Sequence, residues 1–242
     1  MDRVPVLFVE EICRQLTTNH SSALEKLPFW RNVAKNLFRN ARNVTCFIFC
    51  NSETGDVRAD LRENSKRITL QALKSSPNVQ LERVEVFINN NNLVGEPFTS
   101  SYAAQLLKLC SKLYFPTTVY EVAFEEENVT LEHNFPVLEH FLLSLPRIHY
   151  MIIDNWVLME AIAGRAADKG TLRELKLNFH CDLGPNPYKA VLRKMCKCES
   201  LKLFRYSQVI KPNIEMSDEE KEHFRMVEKP DEHAVDFFRI CD

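Results

Sequence analysis

The chain has 242 residues, of which 45% are apolar and 26% charged, and its formal net charge is −2. This composition is typical of a globular protein, and the charge excludes a whole-molecule field that would attract nucleic acid or an anionic membrane. Five glycines are too few for Gly-rich phosphate loops or for an all-β fold with many tight turns.

The N-terminal stretch is apolar for six residues and is then interrupted by Glu10 and Glu11. No later run reaches the roughly 18 apolar residues of a membrane span. We therefore expect no signal peptide, no membrane partner and a cytoplasmic or nuclear location. The eight cysteines are scattered through apolar patterns, which predicts buried free thiols in a reducing compartment.

Residues 1–42 predict a small helical module. Apolar residues at helical spacing, including Ile12 and Leu16, predict a first helix over 5–16. A second predicted helix, 28–42, begins at a first-turn proline and carries a broad apolar stripe. A basic row lies on the opposite side of this second helix: Arg31, Lys35, Arg39 and Arg42.

This module resembles the F-box, which has a Leu-Pro-like start, spaced apolar residues on its first helix and a Trp-Arg pair near its end. The corresponding residues here are Val4, Pro5, Ile12, Leu16, Leu27 and Trp30. The opening of the chain also resembles a divergent F-box-like family expanded in nematodes. The resemblance implies that these residues bind the Skp-type adaptor of cullin–RING ubiquitin ligases.

Residues 43–213 repeat one pattern, apolar-x-x-apolar-x-apolar, with an amphipathic helix between successive matches. The predicted helices lie around 103–113, 138–145, 158–166 and 188–195. The matches are Leu81/Val84/Val86, Val119/Val122/Phe124, Ile148/Met151/Ile153, Leu172/Leu175/Leu177 and Cys198/Leu201/Leu203. Alternation of strands and helices predicts a parallel sheet with helices outside it. Two weaker matches, Val44/Phe47/Phe49 and Val235/Phe238/Ile240, are interpreted as edge strands or capping elements.

The repeated pattern resembles degenerate leucine-rich repeats, because the last three intervals between matches are 29, 24 and 26 residues. The asparagine that these repeats place after the strand is present once, as Asn89. The resemblance implies an α/β fold: the F-box-like module followed by an irregular leucine-rich-repeat-like solenoid with a parallel sheet. Residues 51–80 are interpreted as two turns, at 52–56 and 75–78, with a strand and a short helix between them. Residues 214–242 form an acidic segment that either begins with a short helix capped by Ser217 or stays mobile.

The residues that could carry chemistry form only weak patterns. A zinc site from His180, Cys181, Cys196 and Cys198 has poor ligand spacing, so buried thiols are the preferred interpretation. His133 and His140 are interpreted as surface histidines. We expect no catalytic, cofactor-binding or metal-binding residues and no enzyme activity.

The sequence therefore predicts a protein-interaction adaptor. Its F-box-like module would bind the Skp-type adaptor, and its repeat region would recruit an unknown target protein to the ligase. The alternative is an interaction module unrelated to ubiquitin ligases, associated with nucleic acid through the basic helix 28–42. We favour a solvated helix face for that basic row, because no aromatic residues alternate with its cations.

Overall fold

The computed structural model describes residues 26, 30–34, 42–75, 79–88, 92–110, 117–123, 135–154, 156–179, 187–208, 216–232 and 234–240. In these ranges the helices are α1 (Arg31–Ala34), α2 (Leu70–Leu73), α3 (Ser100–Cys110), α4 (Pro136–Ser144), α5 (Trp156–Asp168), α6 (Pro187–Cys196) and α7 (Asp218–His223). The strands are β1 (Arg42–Cys50), β2 (Val57–Glu63), β3 (Lys66–Ile68), β4 (Val79–Ile88), β5 (Glu96–Pro97), β6 (Thr117–Ala123), β7 (Ile148–Ile153), β8 (Glu174–Phe179), β9 (Leu203–Gln208), β10 (Phe224–Lys229) and β11 (Ala234–Arg239).

The strands form one mixed sheet in the order β10-β11-β9-β8-β7-β6-β4-β1-β2-β3, with β5 paired to β2. Its six central strands, from β1 to β9, pair in parallel. Both ends of the sheet are antiparallel. The protein is therefore a mixed α/β fold, and the prediction that Val122, Ile153, Leu175 and Leu203 lie on neighbouring parallel strands is confirmed.

Helices α2 to α7 form one layer against the sheet. Contacts join α2 to α3, α3 to α4, α4 to α5 and α6 to α7. The bond from Lys194 Nζ on α6 to Glu160 Oε1 on α5, 3.0 Å long, connects the remaining neighbours. Alternate strand residues are fully buried against this layer and form the core with the helices. We call the opposite side of the sheet, which α2 to α7 do not cover, the open face.

A bulge explains how the repeated pattern fits a strand. Residues three apart point to opposite faces of a regular strand, yet Leu81 and Val84 are both buried, at 3% and 0% exposure. The pairing of β4 with β1 skips Glu82, and the pairing of β7 with β6 skips His149. Each extra residue turns the first apolar residue of the pattern, Leu81 or Ile148, back to the core.

The last predicted match is displaced by three residues. The sequence suggests Cys198/Leu201/Leu203, but the residues that fill the repeat positions are Leu201, Phe204 and Tyr206, at 0%, 0% and 1% exposure. Leu203 is half-buried and lies on the open face. At the start of β9 both faces carry an apolar residue, Leu203 on one and Phe204 on the other, although Arg205 and Ser207 then follow on the face of Leu203. Pairing of Leu175 with Phe204 decides between them.

The prediction for β6 is also displaced by three residues, but in the opposite direction. Val119 was expected at the first position of its match, but it pairs with Val84 and Met151, which occupy the middle position of theirs. Val119 is completely buried. Hydrogen bonding to the two neighbouring strands therefore sets the register of β6. The apolar pattern of β6 alone predicts a different register.

The interpretation of Val44/Phe47/Phe49 as an edge or capping element is wrong. Strand β1 lies inside the sheet, parallel to β4 and antiparallel to β2. Its core-facing residues are Val44, Cys46, Ile48 and Cys50, each at 0% exposure. Phe47 and Phe49 are half-buried on the open face. A pairing partner on each side, invisible in the local pattern, makes β1 a central strand.

The C-terminal segment extends the same sheet. Helix α7 is capped by Ser217, as predicted, and Glu220 completes a reciprocal capping box. Strand β11 pairs with β9, so a boundary at 213/214 does not separate this segment from the sheet. Arg239 Nη1 donates to the carbonyls of Cys196 and Cys198 at 3.2 and 3.0 Å, which satisfies backbone acceptors at the end of α6.

Gly95 allows β5 to approach β2 closely. Its φ is +115°, and a Cβ atom at this position would collide with the carbonyl group of Ala59. We expect Gly95→Ala to lower the free energy of unfolding by about 2 to 3 kcal/mol in urea denaturation, from strain plus collision. Gly55→Ala is the matched control, because Gly55 also has a positive φ but no atom within 4 Å. Equal losses in both variants would contradict this explanation.

Candidate functional site: the open face of the sheet

Of the residues that the F-box resemblance assigns to adaptor binding, the structure describes Trp30, which is half-buried and directly precedes α1. The others lie outside the described residues: Val4, Pro5, Ile12, Leu16 and Leu27. Adaptor binding by this module therefore stays a prediction from the sequence.

The basic row of the predicted helix 28–42 does not continue to its last member. Arg42 is the first residue of β1, and it donates from Nε and Nη2 to the two carboxylate oxygens of Glu63 at 2.8 and 2.6 Å. This paired hydrogen bond raises the pKa of Arg42 and lowers that of Glu63. Arg31 is exposed, and Lys35 and Arg39 lie outside the described residues.

The structure describes two of the four residues that suggested a weak metal site. Cys196 and Cys198 are buried free thiols, whereas His180 and Cys181 lie outside the described residues. Burial raises the pKa of the Cys196 thiol, with a smaller effect from nearby Glu220. Within the described ranges, no cluster of three His, Cys, Asp or Glu side chains has the geometry to hold a metal ion.

The histidines expected at the surface are partly described. His140 on α4 is exposed, and His133 lies outside the described residues. His149, the bulge residue of β7, has a buried Nε2 without a hydrogen-bond partner. Burial lowers the pKa of His149 to about 4, and the charges of Arg147 and Arg173 contribute in the same direction.

His149 makes the free energy of unfolding depend on pH. Its pKa is 6.5 before folding and about 4 in the folded protein, so only the unfolded chain gains a proton between these values. The free energy of unfolding should therefore fall by about 2 kcal/mol as pH drops from 6.5 to 4. His149→Gln should remove this component in urea denaturation across that pH range. His140→Gln should retain it, and an unchanged profile in His149→Gln would contradict the assignment.

Three phenylalanines form a cluster on the open face. Phe87 on β4 stacks on Phe49 and Phe47 of β1, with ring centroids 5.3 and 6.3 Å apart and interplanar angles of 16°. These separations are typical of offset-stacked rings, so the faces of the rings partly cover each other. All three side chains are half-buried. Neighbouring strands, rather than neighbouring residues, assemble this cluster.

Cations lie over aromatic rings at three places on the open face. Arg62 lies 4.8 Å from the ring centroid of Phe47. Lys176 Nζ lies 5.1 Å from that of Tyr150. The guanidinium of Arg225 lies 5.8 Å from that of Phe238. Each distance is short enough for attraction between the cation and the ring. The rings therefore hold cationic groups on this surface.

Two carboxylates are buried beneath arginines on the same face. Asp60 is 2% exposed, and Arg62 Nε and Arg67 Nε each lie 2.8 Å from one of its oxygens. The contact with Arg67 is an ion pair that lacks hydrogen-bond alignment, so Asp60 Oδ1 has no hydrogen-bond partner. Asp236 is also 2% exposed and accepts from Arg205 at 2.6 and 2.8 Å. Asp60 and Asp236 therefore orient arginine side chains, although their own carboxylates are buried.

The strand positions of the open face carry more cations than anions. Register identifies eight basic residues: Arg58, Arg62, Arg67, Arg83, Lys176, Arg205, Arg225 and Lys229. It identifies four acidic residues: Asp60, Glu85, Glu174 and Asp236. The open face is therefore electropositive in a chain whose net charge is −2.

One signal of the open face is present in the sequence of β2. In β2, Arg58, Asp60 and Arg62 alternate with the core residues Ala59 and Leu61. A period of two is typical of a half-buried strand. This alternation locates the strand expected within 51–80 and its charged face, although the position of β2 beside β1 required the tertiary structure.

The described ranges give little support for a ligand pocket or for a membrane-spanning helix. The depression between α4 and α5, lined by Leu145, Ile162 and Lys169 among others, has no room for a water-sized sphere. None of the described helices combines the length and apolar character needed to span a bilayer. The sheet surface is the most extensive candidate that the described side chains provide.

Comparison with known proteins identifies no relative: no family model, no curated protein and no solved structure matches the chain.

Proposed function

We propose that the protein is a non-enzymatic interaction adaptor, and that it serves as a substrate receptor of a Skp–cullin–F-box ubiquitin ligase. Its N-terminal module binds the Skp-type adaptor, and the open face of the sheet binds a target protein. By binding both partners, the protein increases the effective concentration of the target near the ubiquitin-charged enzyme of the ligase. It works in the cytoplasm or the nucleus.

Binding of a target protein at the open face is supported by the position of the helices, which lie on one side of the sheet. Helices α2 to α7 pack on one face of the sheet, and half-buried aromatic residues such as Phe47, Phe87 and Tyr150 lie on the other. Leucine-rich repeats present a sheet surface in this way, and stacked repeats create extended binding surfaces. The proposal includes a short, irregular solenoid formed by β4, β6, β7, β8 and β9 with their helices.

The ligase half of the proposal depends on the F-box pattern from Val4 to Trp30. An F-box module leaves apolar side chains uncovered until the partner packs on them. Trp30 is described as half-buried, which is compatible with a residue that completes its burial in a complex.

Nucleic-acid association through the helix 28–42 is the weaker alternative. Its basic row would need four cations along one helix face, but Arg42 lies in β1 and binds Glu63. Arg31 is exposed, and Lys35 and Arg39 lie outside the described residues.

Isothermal titration of the full-length protein with a purified Skp-type adaptor tests the ligase half. We expect a stoichiometric complex. A folded, soluble protein that gives no heat of binding at tens of micromolar adaptor would remove the ligase assignment, and target binding at the open face would then stand alone as an interaction function.

A further inference from the structure

We infer that the open face binds an acidic, extended segment of a partner protein. This inference rests on the proposed binding of a target protein at the open face, and it specifies the chemistry of the segment that is bound. Its basis is the arrangement of charge on the face, together with the way the aromatic rings are covered.

The cations on the face are more accessible than the anions. The side chain of Arg67 is 57% exposed, whereas that of its partner Asp60 is 1% exposed. The same holds for Arg83 and Glu85, at 46% and 14%. A partner that approaches the sheet therefore meets guanidinium groups first, and complementary negative charge is what they attract.

The cations form two groups towards the two ends of the sheet, on β2, β3 and β4 and on β8, β9 and β10, with none at the open-face positions of β1, β6 and β7. They begin with Arg67 on β3 and end with Arg225 on β10, at the two ends of the strand order. Strand spacing of about 4.8 Å gives this row a length of about 40 Å, and an extended peptide covers that length with about twelve residues. The face thus fits an extended chain with carboxylates towards both of its ends.

The aromatic rings favour a peptide over a nucleic acid. Single-stranded nucleic acids bind by stacking bases on open ring faces. Here Arg62 lies over Phe47, and Phe87 stacks on both Phe47 and Phe49, so ring faces are already covered. Ring edges carry positive charge and attract carboxylates.

Fluorescence anisotropy of the full-length protein tests this inference. The probe is a fluorescein-labelled peptide of alternating Glu and Ser, about twelve residues long. The same peptide with Gln in place of Glu tests the charge requirement, and a single-stranded oligothymidylate tests nucleic acid. We expect the Glu peptide to bind at low salt, with an affinity that falls as salt increases, and the Gln peptide not to bind.

Matched variants locate the binding surface. Arg58→Glu with Arg225→Glu reverses two exposed cations of the open face, and we expect it to weaken binding of the Glu peptide by about tenfold or more. Arg193→Glu with Lys197→Glu makes the same charge change at exposed positions in and just after α6. This control should bind within about twofold of the unchanged protein, because long-range effects are screened.

Equal weakening in both double variants, absence of peptide binding at low salt, or equal binding of the Gln peptide would overturn the inference. So would oligothymidylate that binds more tightly than the Glu peptide and displaces it. The proposed ligase function is tested separately, since adaptor binding to residues 1–42 does not depend on the peptide. Peptide binding without adaptor binding would remove the ligase assignment and leave the acidic-segment site intact.

Discussion

Full-length protein carrying Ile12→Asp and Leu16→Asp is expected to lose all measurable binding to a Skp-type adaptor. Both residues lie on the apolar face of the predicted helix 5–16, at the F-box spacing from Pro5. Burying two carboxylates in an apolar interface costs several kcal/mol, which corresponds to a loss of affinity of at least about a hundredfold. Isothermal titration with the purified adaptor measures the effect.

The matched control is Ala104→Asp with Ala161→Asp. Both alanines are exposed, on α3 and α5, so the control adds the same charge away from the N-terminal module. It should bind the adaptor as the unchanged protein does. Retained binding in the Ile12 and Leu16 variant would show that these residues do not form the interface, and equal loss in both variants would indicate general destabilisation.

Phe204→Ala is expected to lower the free energy of unfolding by about 4 kcal/mol, whereas Leu203→Ala should lower it by about 1 kcal/mol or less. Phe204 is completely buried and stacks on Phe237, with centroids 5.4 Å apart. Leu203 is half-buried on the open face. Urea denaturation, with circular dichroism as the signal, measures both values.

These two substitutions test the register of β9 directly. The apolar pattern of the sequence puts Leu203 in the core, whereas the structure puts Phe204 there. A larger loss for Leu203→Ala than for Phe204→Ala would contradict the observed pairing of Leu175 with Phe204. Comparable losses would show that β9 is buried on both faces, and the open face would then be covered in this region.

Local interactions explain which features were predictable from the sequence. Parallel pairing of β6 to β9 follows from strand–helix alternation, because a helical crossover returns the chain to a parallel neighbour. Thr99 Oγ1 accepts from the backbone of Tyr102, and Ser217 caps α7 through Glu220. These caps join residues only three positions apart, so their partners are visible in the sequence itself.

The open face required the tertiary structure. Its phenylalanine cluster joins Phe47 and Phe87, and its buried ion pair joins Arg205 and Asp236, residues far apart in the chain. Strand register brings such residues together, and a shift of one residue would send each side chain to the other face.

The sequence by itself determined the alternation of elements from β6 to β9 and the caps at Thr99 and Ser217, because these depend on residues close in the chain. Only the tertiary structure decided that β1 is a central strand, that Phe204 rather than Leu203 enters the core, and that the C-terminal hairpin extends the sheet. The physical reason is that a strand apolar on both sides has no preferred face of its own. Hydrogen bonding to its neighbours and burial against the helix layer select that face.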